Sequence, residues 1–229
     1  MSAPDDGTAV PPIPAATVVL VRDAAAGLET LMLHRNSTLA FGGMWVFPGG
    51  RVDPEDAAGT ASEEEAARRA AVREAFEEAG LRCDAPSLVA FSHWVPPPIA
   101  PKRYATWFFI APAPAGAVTV DGAEIHDAAW MRPTDALARR DAGEIELAPP
   151  TWMTLRHLAA FADVAAAVAD ARGRAPTFYV THMGRSAGGM VAMWAGDAGY
   201  ESGDADAPGP RHRLWIGAGP WELERTLDR

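Results

Sequence analysis

The stretch from Ser62 to Gly80 constrains the fold of this chain more than any other segment. Ser62, followed three residues later by Glu65, matches a capping box, and Gly80 suits the left-handed position that ends a helix. The sequence therefore predicts a helix from about 63 to 79. One side of the helical wheel is apolar and is expected to pack on a core while the other faces a cleft. The apolar residues are Val72, Phe76 and Ala79.

Three carboxylates lie within five residues at the end of this helix: Glu74, Glu77 and Glu78. Because residues four apart stack on consecutive turns, their oxygens converge on one patch. Most Glu-rich helices are solvated surfaces stabilised by nearby arginines. This cluster differs because it lies at the C-terminal end of the helix, where the helix dipole disfavours anions. Hard oxygen ligands at this density suit Mg²⁺ or Mn²⁺, which bind carboxylates together with phosphates and water.

The segment around these acids resembles the signature of the Nudix hydrolases, Gly-x5-Glu-x7-Arg-Glu-U-x-Glu-Glu-x-Gly-U, in which U is apolar. Read literally, every position is filled, by Gly59, Glu65, Arg73, Glu74, Ala75, Glu77, Glu78, Gly80 and Leu81. In the family, the first glycine normally ends a Pro-Gly-Gly turn, and here Pro48-Gly49-Gly50 lies nine residues farther upstream. We therefore interpret residues 51 to 61 as an enlarged loop. Gly59 then matches the spacing by coincidence, and Glu65 is expected to pair with Arg73 along the helix.

The resemblance implies a fold and a set of functional residues. The implied fold class is α/β, a Nudix α/β/α sandwich with a mixed β-sheet and a C-terminal extension. The implied ligands of Mg²⁺ or Mn²⁺ are Glu74, Glu77, Glu78 and the carbonyl group of Gly49. Arg73 is expected to orient the glutamates. The general base is either Glu77 or Glu124, which precedes a strand that contains Trp130.

Residues outside the signature suggest the substrate. Arg35 and the segment from 43 to 53 resemble the branch that contains coenzyme A diphosphatases and their peroxisomal relatives. Arg35, Lys102 and Arg103 are candidate phosphate contacts. Trp94 is expected mainly in a core strand, but because it lies beside a proline turn it is also a candidate to stack on a nucleotide base. The leading hypothesis is a metal-dependent hydrolase that cleaves the diphosphate of a nucleoside diphosphate linked to another moiety. Coenzyme A and acyl-CoA are the first candidates.

The chain divides into three predicted regions: a mobile lead (1–14), the Nudix hydrolase domain (15–160), and a C-terminal helix and extension (161–229) packed on the same domain. Strands are predicted near 17–22, 29–35, 45–47, 88–94, 104–111 and 127–131. A short helix is predicted at 133–139, and a long Ala-rich helix at 150–171. Residues 211–216 alternate charged and apolar residues as an edge strand does, and are expected to cover the pocket or to join a homodimer interface.

The formal net charge of −10 argues against attraction to nucleic acid backbones. An anionic substrate then needs a metal ion or local cations to bind. The single cysteine, Cys83, excludes intrachain disulfides and favours a reducing cytoplasm. The sequence shows neither a signal peptide nor a run approaching about 18 apolar residues. We therefore expect a cytoplasmic protein that binds a small nucleotide derivative and has no membrane partner.

Two alternatives belong to other functional classes. The fold could serve as a catalytically inactive module that binds a nucleotide, although a pure binder has no need of three clustered acids. Gly184-Arg185-Ser186-Ala187-Gly188 matches Gly-x-Ser-x-Gly, with Asp204 and His212 in the order of a hydrolase triad. Only about 40 residues follow Ser186, too few for the rest of an α/β-hydrolase sheet. A serine hydrolase is therefore the remote alternative, and a Gly-rich connector is preferred.

Overall fold

The computed structural model describes residues 11–36, 42–100, 102–120, 122–186, 189–217 and 219–226. Eight strands of these described residues form one sheet: β1 (Ile13–Ala24), β2 (Gly27–Arg35), β3 (Trp45–Val46), β4 (Gly49–Arg51), β5 (Val89–Val95), β6 (Tyr104–Pro112), β7 (Ile125–Met131) and β8 (Thr177–Val180). The helices are α1 (Pro54–Ala57), α2 (Glu63–Ala79), α3 (Pro133–Asp141), α4 (Pro149–Leu158) and α5 (Val164–Arg172). A second sheet contains β9 (His182–Ser186), β10 (Gly189–Met193), β11 (His212–Ile216) and β12 (Glu222–Arg225).

The large sheet is mixed and has helices on both faces. Its strand order is β3-β2-β1-β6-β5-β8, with β4 added to β1 and β7 added to β2. The β1–β6 and β5–β8 pairs are parallel, whereas β1–β2, β1–β4 and β5–β6 are antiparallel. One core lies between the sheet and α2, and a larger one lies on the other face. The predicted α/β/α sandwich with a mixed sheet is confirmed.

The path of β1 creates the opening in which the acidic cluster lies. One edge of β1 pairs with β6 over nine residue pairs, from Ile13 to Val21. The other edge pairs with β2 only from Val21 onward, and with β4 from Ala15 to Thr17. Because β2 and β4 meet β1 at different places, the strands diverge between them. Pro48 fixes the intervening turn, since its carbonyl accepts a hydrogen bond from the Val18 amide at 2.9 Å.

Helix α2 has the predicted ends, and Val72 and Ala79 pack on the core as predicted. The Ser62 hydroxyl accepts from the Glu65 amide, and Gly80 adopts φ 70°, as the capping signals predicted. Phe76, however, is exposed and lies under the guanidinium of Arg82. The buried side consists of small residues and one acid: Ala66, Ala67, Ala70, Ala71, Ala75, Glu78 and Ala79. Alanines allow the helix to approach the sheet closely, and this approach carries Glu78 inward.

The C-terminal third differs from its prediction in two further ways. The predicted long helix is two helices, because Asp163 caps α5 by accepting from the Ala166 amide at 2.8 Å. The segment predicted as an edge strand is β11, which lies between β10 and β12. At the other end of the chain, residues 1–10 of the predicted mobile lead lie outside the described residues. Ile13 and Pro14 belong to β1 and pair with β6, so the lead is shorter than predicted.

The structure contradicts the serine hydrolase alternative. Gly184 and Ser186 lie within strand β9, which pairs with β10 in an antiparallel hairpin. A nucleophile elbow requires a sharp turn from a strand into a helix. The backbone of Asp204 forms an isolated parallel β-bridge with that of Arg185. His212 Nδ1 lies 3.0 Å from the Ala195 carbonyl oxygen. Within the described part of the chain, no helix is long and apolar enough to cross a membrane.

Candidate active site

A cleft of about 520 Å³ opens where β2 and β4 diverge from β1. Its wall combines acidic, basic and polar residues from the turn, from α2 and from the far side of the sheet. The charged residues are Arg35, Arg51, Asp53, Arg73, Glu74, Glu77, Lys102 and Glu124, and Gly49, Gly50, Tyr104 and Thr106 also line it. Most of the predicted site residues therefore come together in one place.

Two glycines bring the turn against the acidic helix. The Gly49 amide donates to Glu78 Oε2 at 2.9 Å. A Cβ atom on Gly50 would lie 2.2 Å from Glu74 Oε1, and one on Gly49 would lie 2.3 Å from the Ala16 carbonyl oxygen. Side chains at either position would collide with these atoms. The Gly-Gly pair is required for close approach, because only glycine leaves that space free.

Glu78 is a buried acid with one oxygen unused. The residue is 4% exposed, and among the described residues its Oε1 atom has no hydrogen-bond partner. Arg35 Nη1 lies 3.6 Å from that oxygen. Burial raises the pKa of Glu78 to about 8, although the Gly49 amide and the Arg35 guanidinium both lower it. Leaving a buried carboxylate oxygen without a partner is costly, so this atom is poised to accept a cation or a proton.

Arg73 organises the other two acids of the cluster. Its Nη1 atom donates to Glu74 Oε1 at 2.9 Å and to Glu77 Oε2 at 2.8 Å. Burial raises the pKa of Glu74, and the charges of Glu77 and Glu124 raise it further, against the effect of Arg73. The predicted pairing of Arg73 with Glu65 is wrong, because Glu65 contacts Arg69 instead. Arg73 therefore contacts both of these acids, and its role in orienting them stays a prediction.

The opposite wall is formed by Arg35 and Glu124. Arg35 Nη2 donates to Glu124 Oε2 at 2.7 Å. The Glu124 backbone is fixed next to the end of β2, because its carbonyl accepts from the Asn36 amide at 2.8 Å. The Glu124 side chain remains 54% exposed and its charge raises the pKa of both Glu74 and Glu78. Glu124 therefore belongs electrostatically to the same cluster as the helical acids.

Two candidate substrate contacts lie elsewhere. The expectation that Trp94 stacks on a substrate base is wrong, because Trp94 is 4% exposed and packs in the core on the other face of the sheet. Its ring stacks on Tyr179 with centroids 3.9 Å apart. The guanidinium of Arg103 donates to the Pro96 carbonyl at 3.3 Å, and its neighbour Lys102 lines the cleft instead.

We expect Trp94→Phe to affect stability rather than substrate binding. The substitution removes part of a buried ring and the hydrogen bond from Trp94 Nε1 to Ser92 Oγ. A loss of about 1–3 kcal/mol in the free energy of unfolding is expected, with an unchanged KM. Denaturant unfolding and steady-state kinetics measure both quantities. A raised KM with unchanged stability would contradict the core assignment.

The residues of the cleft fit a divalent cation by their chemistry. As the side chains stand, the described part of the chain contains no group of three or more His, Cys, Asp or Glu arranged as a metal site. Arg73 Nη1 donates to both Glu74 and Glu77. Burial nevertheless raises the pKa of Glu74 and Glu78, and Glu78 Oε1 has no hydrogen-bond partner among the described residues, so the ionised forms of these acids are poorly stabilised by the protein alone. Carboxylates in such a cluster suit Mg²⁺ or Mn²⁺.

The metal-free protein should lose stability as the pH rises, because of Glu78. Its folded pKa of about 8 exceeds its ordinary value of 4.5, so the folded state retains a proton that the unfolded chain releases. The free energy of unfolding is expected to fall between these two pH values and then to level off. Thermal melts in EDTA at mildly acidic and alkaline pH should show a larger fall for wild type than for Glu78→Gln.

Magnesium provides the internal control for this comparison. At alkaline pH, saturating Mg²⁺ should stabilise the wild type more than Glu78→Gln, because only the wild type offers an ionised carboxylate at this position. Equal pH dependence in the two proteins would contradict the assignment of Glu78 as a buried, uncompensated acid.

Sequence reasoning missed Asp56, which contacts Arg73 from the enlarged loop. The loop does not lack structure, since it contains α1, with Pro54 at its first position. A signal was present: counting the family spacing Gly-x5 from Gly50, rather than from Gly59, reaches Asp56. An aspartate in place of the usual glutamate concealed the match.

Comparison with known proteins agrees with this architecture. The model of the NUDIX domain family matches residues 11–151. The chain is similar to the crystal structure of a NUDIX hydrolase from Alicyclobacillus acidocaldarius, at 26% sequence identity and a TM-score of 0.63, over 70% of this chain and 96% of that one. The NUDIX domain of Shewanella oneidensis NrtR, solved with ADP ribose, matches at 19% identity and a TM-score of 0.50, over 66% and 89% of the two chains. No curated protein matches the sequence.

The fold and the acidic cleft thus define a Nudix protein with the apparatus of a hydrolase that acts on pyrophosphate bonds. The chain belongs to the NUDIX domain family, whose hydrolases generally use divalent metals.

Proposed function

We propose that this chain is a Mg²⁺- or Mn²⁺-dependent diphosphatase that cleaves a nucleoside diphosphate linked to another moiety. The buried Glu78 carboxylate carries this proposal. Among the described residues its Oε1 has no hydrogen-bond partner, and it lies 3.6 Å from Arg35, which lines the same cleft as Glu74, Glu77 and Glu124. A protein that only binds a nucleotide gains nothing from such a costly acid. A divalent cation held by these carboxylates would offset their negative charge and that of a bound pyrophosphate.

The chain contributes several groups to the reaction. Glu74, Glu77 and Glu78 would hold the cation, together with the carbonyl of Gly49. When bound, a divalent cation neutralises charge on the phosphate oxygens and lowers the pKa of water. Arg73 keeps Glu74 and Glu77 in place through its two hydrogen bonds. Arg35, at the end of β2, would contact a phosphate after its guanidinium releases Glu124.

We assign the proton-accepting role to Glu124 rather than to Glu77. Both side chains are 54% exposed in the cleft, but Glu77 belongs to the helical cluster that would hold the cation. Glu124 approaches from the opposite wall, where it can accept a proton from water without leaving a ligand position. Glu124→Gln should therefore lower kcat, with little change in Mn²⁺ affinity. Glu77→Gln should instead weaken Mn²⁺ binding.

The substrate class is proposed from the sequence around the Gly-Gly turn and from the charge of the cleft wall. The segment from Gly43 to Gly50 resembles the coenzyme A diphosphatase branch, which makes coenzyme A and acyl-CoA the first candidates. Arg51 and Lys102 in the cleft wall provide positive charge for an anionic ligand in a protein of net charge −10. ADP-ribose is a further candidate because the similar NrtR domain was solved with it.

A substrate panel tests the proposal. Coenzyme A, ADP-ribose, NADH and dinucleoside polyphosphates are incubated with the protein, with Mg²⁺ or with EDTA, and the products are resolved by chromatography. We expect metal-dependent cleavage of the diphosphate in at least one compound. Tight binding without turnover of any compound, in the presence of either metal, would instead support a catalytically inactive nucleotide-binding module.

A further inference from the structure

The loop between the Gly-Gly turn and α2 folds around a buried aspartate. Helix α1 begins with Pro54 after Asp53, and the Asp53 amide donates to Asp56 Oδ2 at 3.0 Å. Asp56 is 7% exposed, which is rare for an acid unless it is paired. The local fold of this loop therefore delivers one carboxylate into the space beside α2.

This carboxylate is bound by Arg73 in a forked arrangement. Arg73 Nη2 donates to Asp56 Oδ2 at 2.9 Å, and Arg73 Nε lies 3.3 Å and 3.4 Å from the two oxygens. The Arg51 carbonyl accepts a further hydrogen bond from Nη2 at 2.9 Å. Such forked contacts fix the plane of a guanidinium as well as its position.

The remaining nitrogen of the same guanidinium faces the catalytic cluster. Arg73 Nη1 donates to Glu74 and to Glu77, so one planar group joins the loop acid to two of the acids in the cleft. The position of those two carboxylates therefore depends on how Arg73 is held from behind. Asp56 supplies most of that hold, because three of the four hydrogen bonds behind the guanidinium are to its oxygens; Asp53 Oδ2 adds only an ion pair at 3.6 Å.

In the literal reading of the signature, Glu65 is the acid that pairs with Arg73. In the structure, Glu65 does not hold the Arg73 guanidinium. Its side chain is 43% exposed, accepts from the Ala61 amide at 2.9 Å and pairs with Arg69 at 3.1 Å. These contacts close the N-terminal turn of α2, away from the cleft. A variant at Glu65 is thus a matched control for one at Asp56, since both remove an acid that is bonded to an arginine and a backbone amide.

We propose that Asp56 is a positioning residue that acts through Arg73 to set Glu74 and Glu77 for cation binding. This inference rests on the proposed metal-dependent function. Without Asp56, the guanidinium loses the contacts that fix its plane, so its Nη1 bonds no longer hold the two glutamates in one place. Residues that orient metal ligands from behind typically change affinity or activity by about 10–100-fold.

The test compares Asp56→Asn with Glu65→Gln. Mn²⁺ binding to each protein is titrated by the loss of the free-ion electron paramagnetic resonance signal, and turnover is measured on the best compound of the panel. We expect Asp56→Asn to weaken Mn²⁺ binding on the order of 10-fold and to lower kcat, whereas Glu65→Gln stays within about twofold of wild type. Asp56→Ser is a second variant. In Asp56→Asn the new amide NH₂ group can point at the N–H groups of Arg73, whereas serine removes the carboxylate without adding an amide donor.

Coupling to Arg73 distinguishes positioning from general damage. If Asp56 acts through Arg73, the Asp56→Asn and Arg73→Gln double variant should bind Mn²⁺ no more weakly than Arg73→Gln alone. Additive losses, or unchanged Mn²⁺ affinity in folded Asp56→Asn and Asp56→Ser proteins, would overturn the inference. Failure of the wild type to bind Mn²⁺ would instead overturn the proposed function.

Discussion

Glu78→Gln is expected to lower kcat on the order of 10³-fold while the protein remains folded. The amide oxygen of glutamine can still accept from Gly49, so the contact that seats the turn survives. The second oxygen of Glu78 becomes an amide nitrogen, which cannot bind a cation. Losing one such ligand removes several kcal/mol of charge stabilisation in the transition state, and about 4 kcal/mol corresponds to that factor.

The control for this variant comes from the same helix. Glu63→Gln changes an acid in the first turn of α2, far from the cleft, and should leave kcat within about twofold of wild type. Turnover is measured at saturating Mg²⁺ on the substrate that the panel identifies, and the fold is checked by circular dichroism and by the melting temperature. Retained activity in Glu78→Gln would contradict the role of this acid.

Gly50→Ala and Gly49→Ala should fail in different ways. The new Cβ at position 50 would meet the flexible carboxylate end of Glu74, whereas that at position 49 would meet the backbone of β1 at Ala16 and Thr17. We expect Gly50→Ala to lose about 10²-fold in kcat, because Glu74 must leave its position, with a small change in stability. Gly49→Ala should lose about 1–3 kcal/mol of stability, because a strand must move.

Gly59→Ala is the matched control for both. A Cβ atom there meets nothing within 4 Å, although its φ of +69° is unfavourable for alanine. We expect a stability loss of about 1 kcal/mol and unchanged kcat. Chemical denaturation and kinetics on all three variants separate the outcomes. A larger loss of kcat for Gly59→Ala than for Gly50→Ala would show that the literal motif, rather than the turn, forms the site.

Local signals in the sequence predicted local structure well. The ends of α2 follow from Ser62 and Gly80 because capping depends on hydrogen bonds within a few residues. The hairpin of β1 and β2 follows from two apolar runs on either side of a short turn. The acids of α2 were found for the same reason, since their convergence needs only helical geometry.

Burial was harder to predict than secondary structure. Periodicity shows that a side chain shares a face with others, but it does not show what covers that face. Phe76 was assigned to the core, and Trp94 was also considered for the substrate pocket, for this reason: alanines on α2 and the C-terminal strand β8 provide the actual packing. Asp56 was missed because its partner Arg73 is 17 residues away in sequence, and only the folded loop brings them together.

The most direct test of this account is a crystal structure of the protein soaked with Mn²⁺, with anomalous scattering recorded to locate the ion. The account predicts an anomalous peak in the cleft, at about 2.0–2.2 Å from Glu78 Oε1 and in contact with Glu74 and Glu77. The absence of a peak there, at Mn²⁺ concentrations that support turnover, would contradict it.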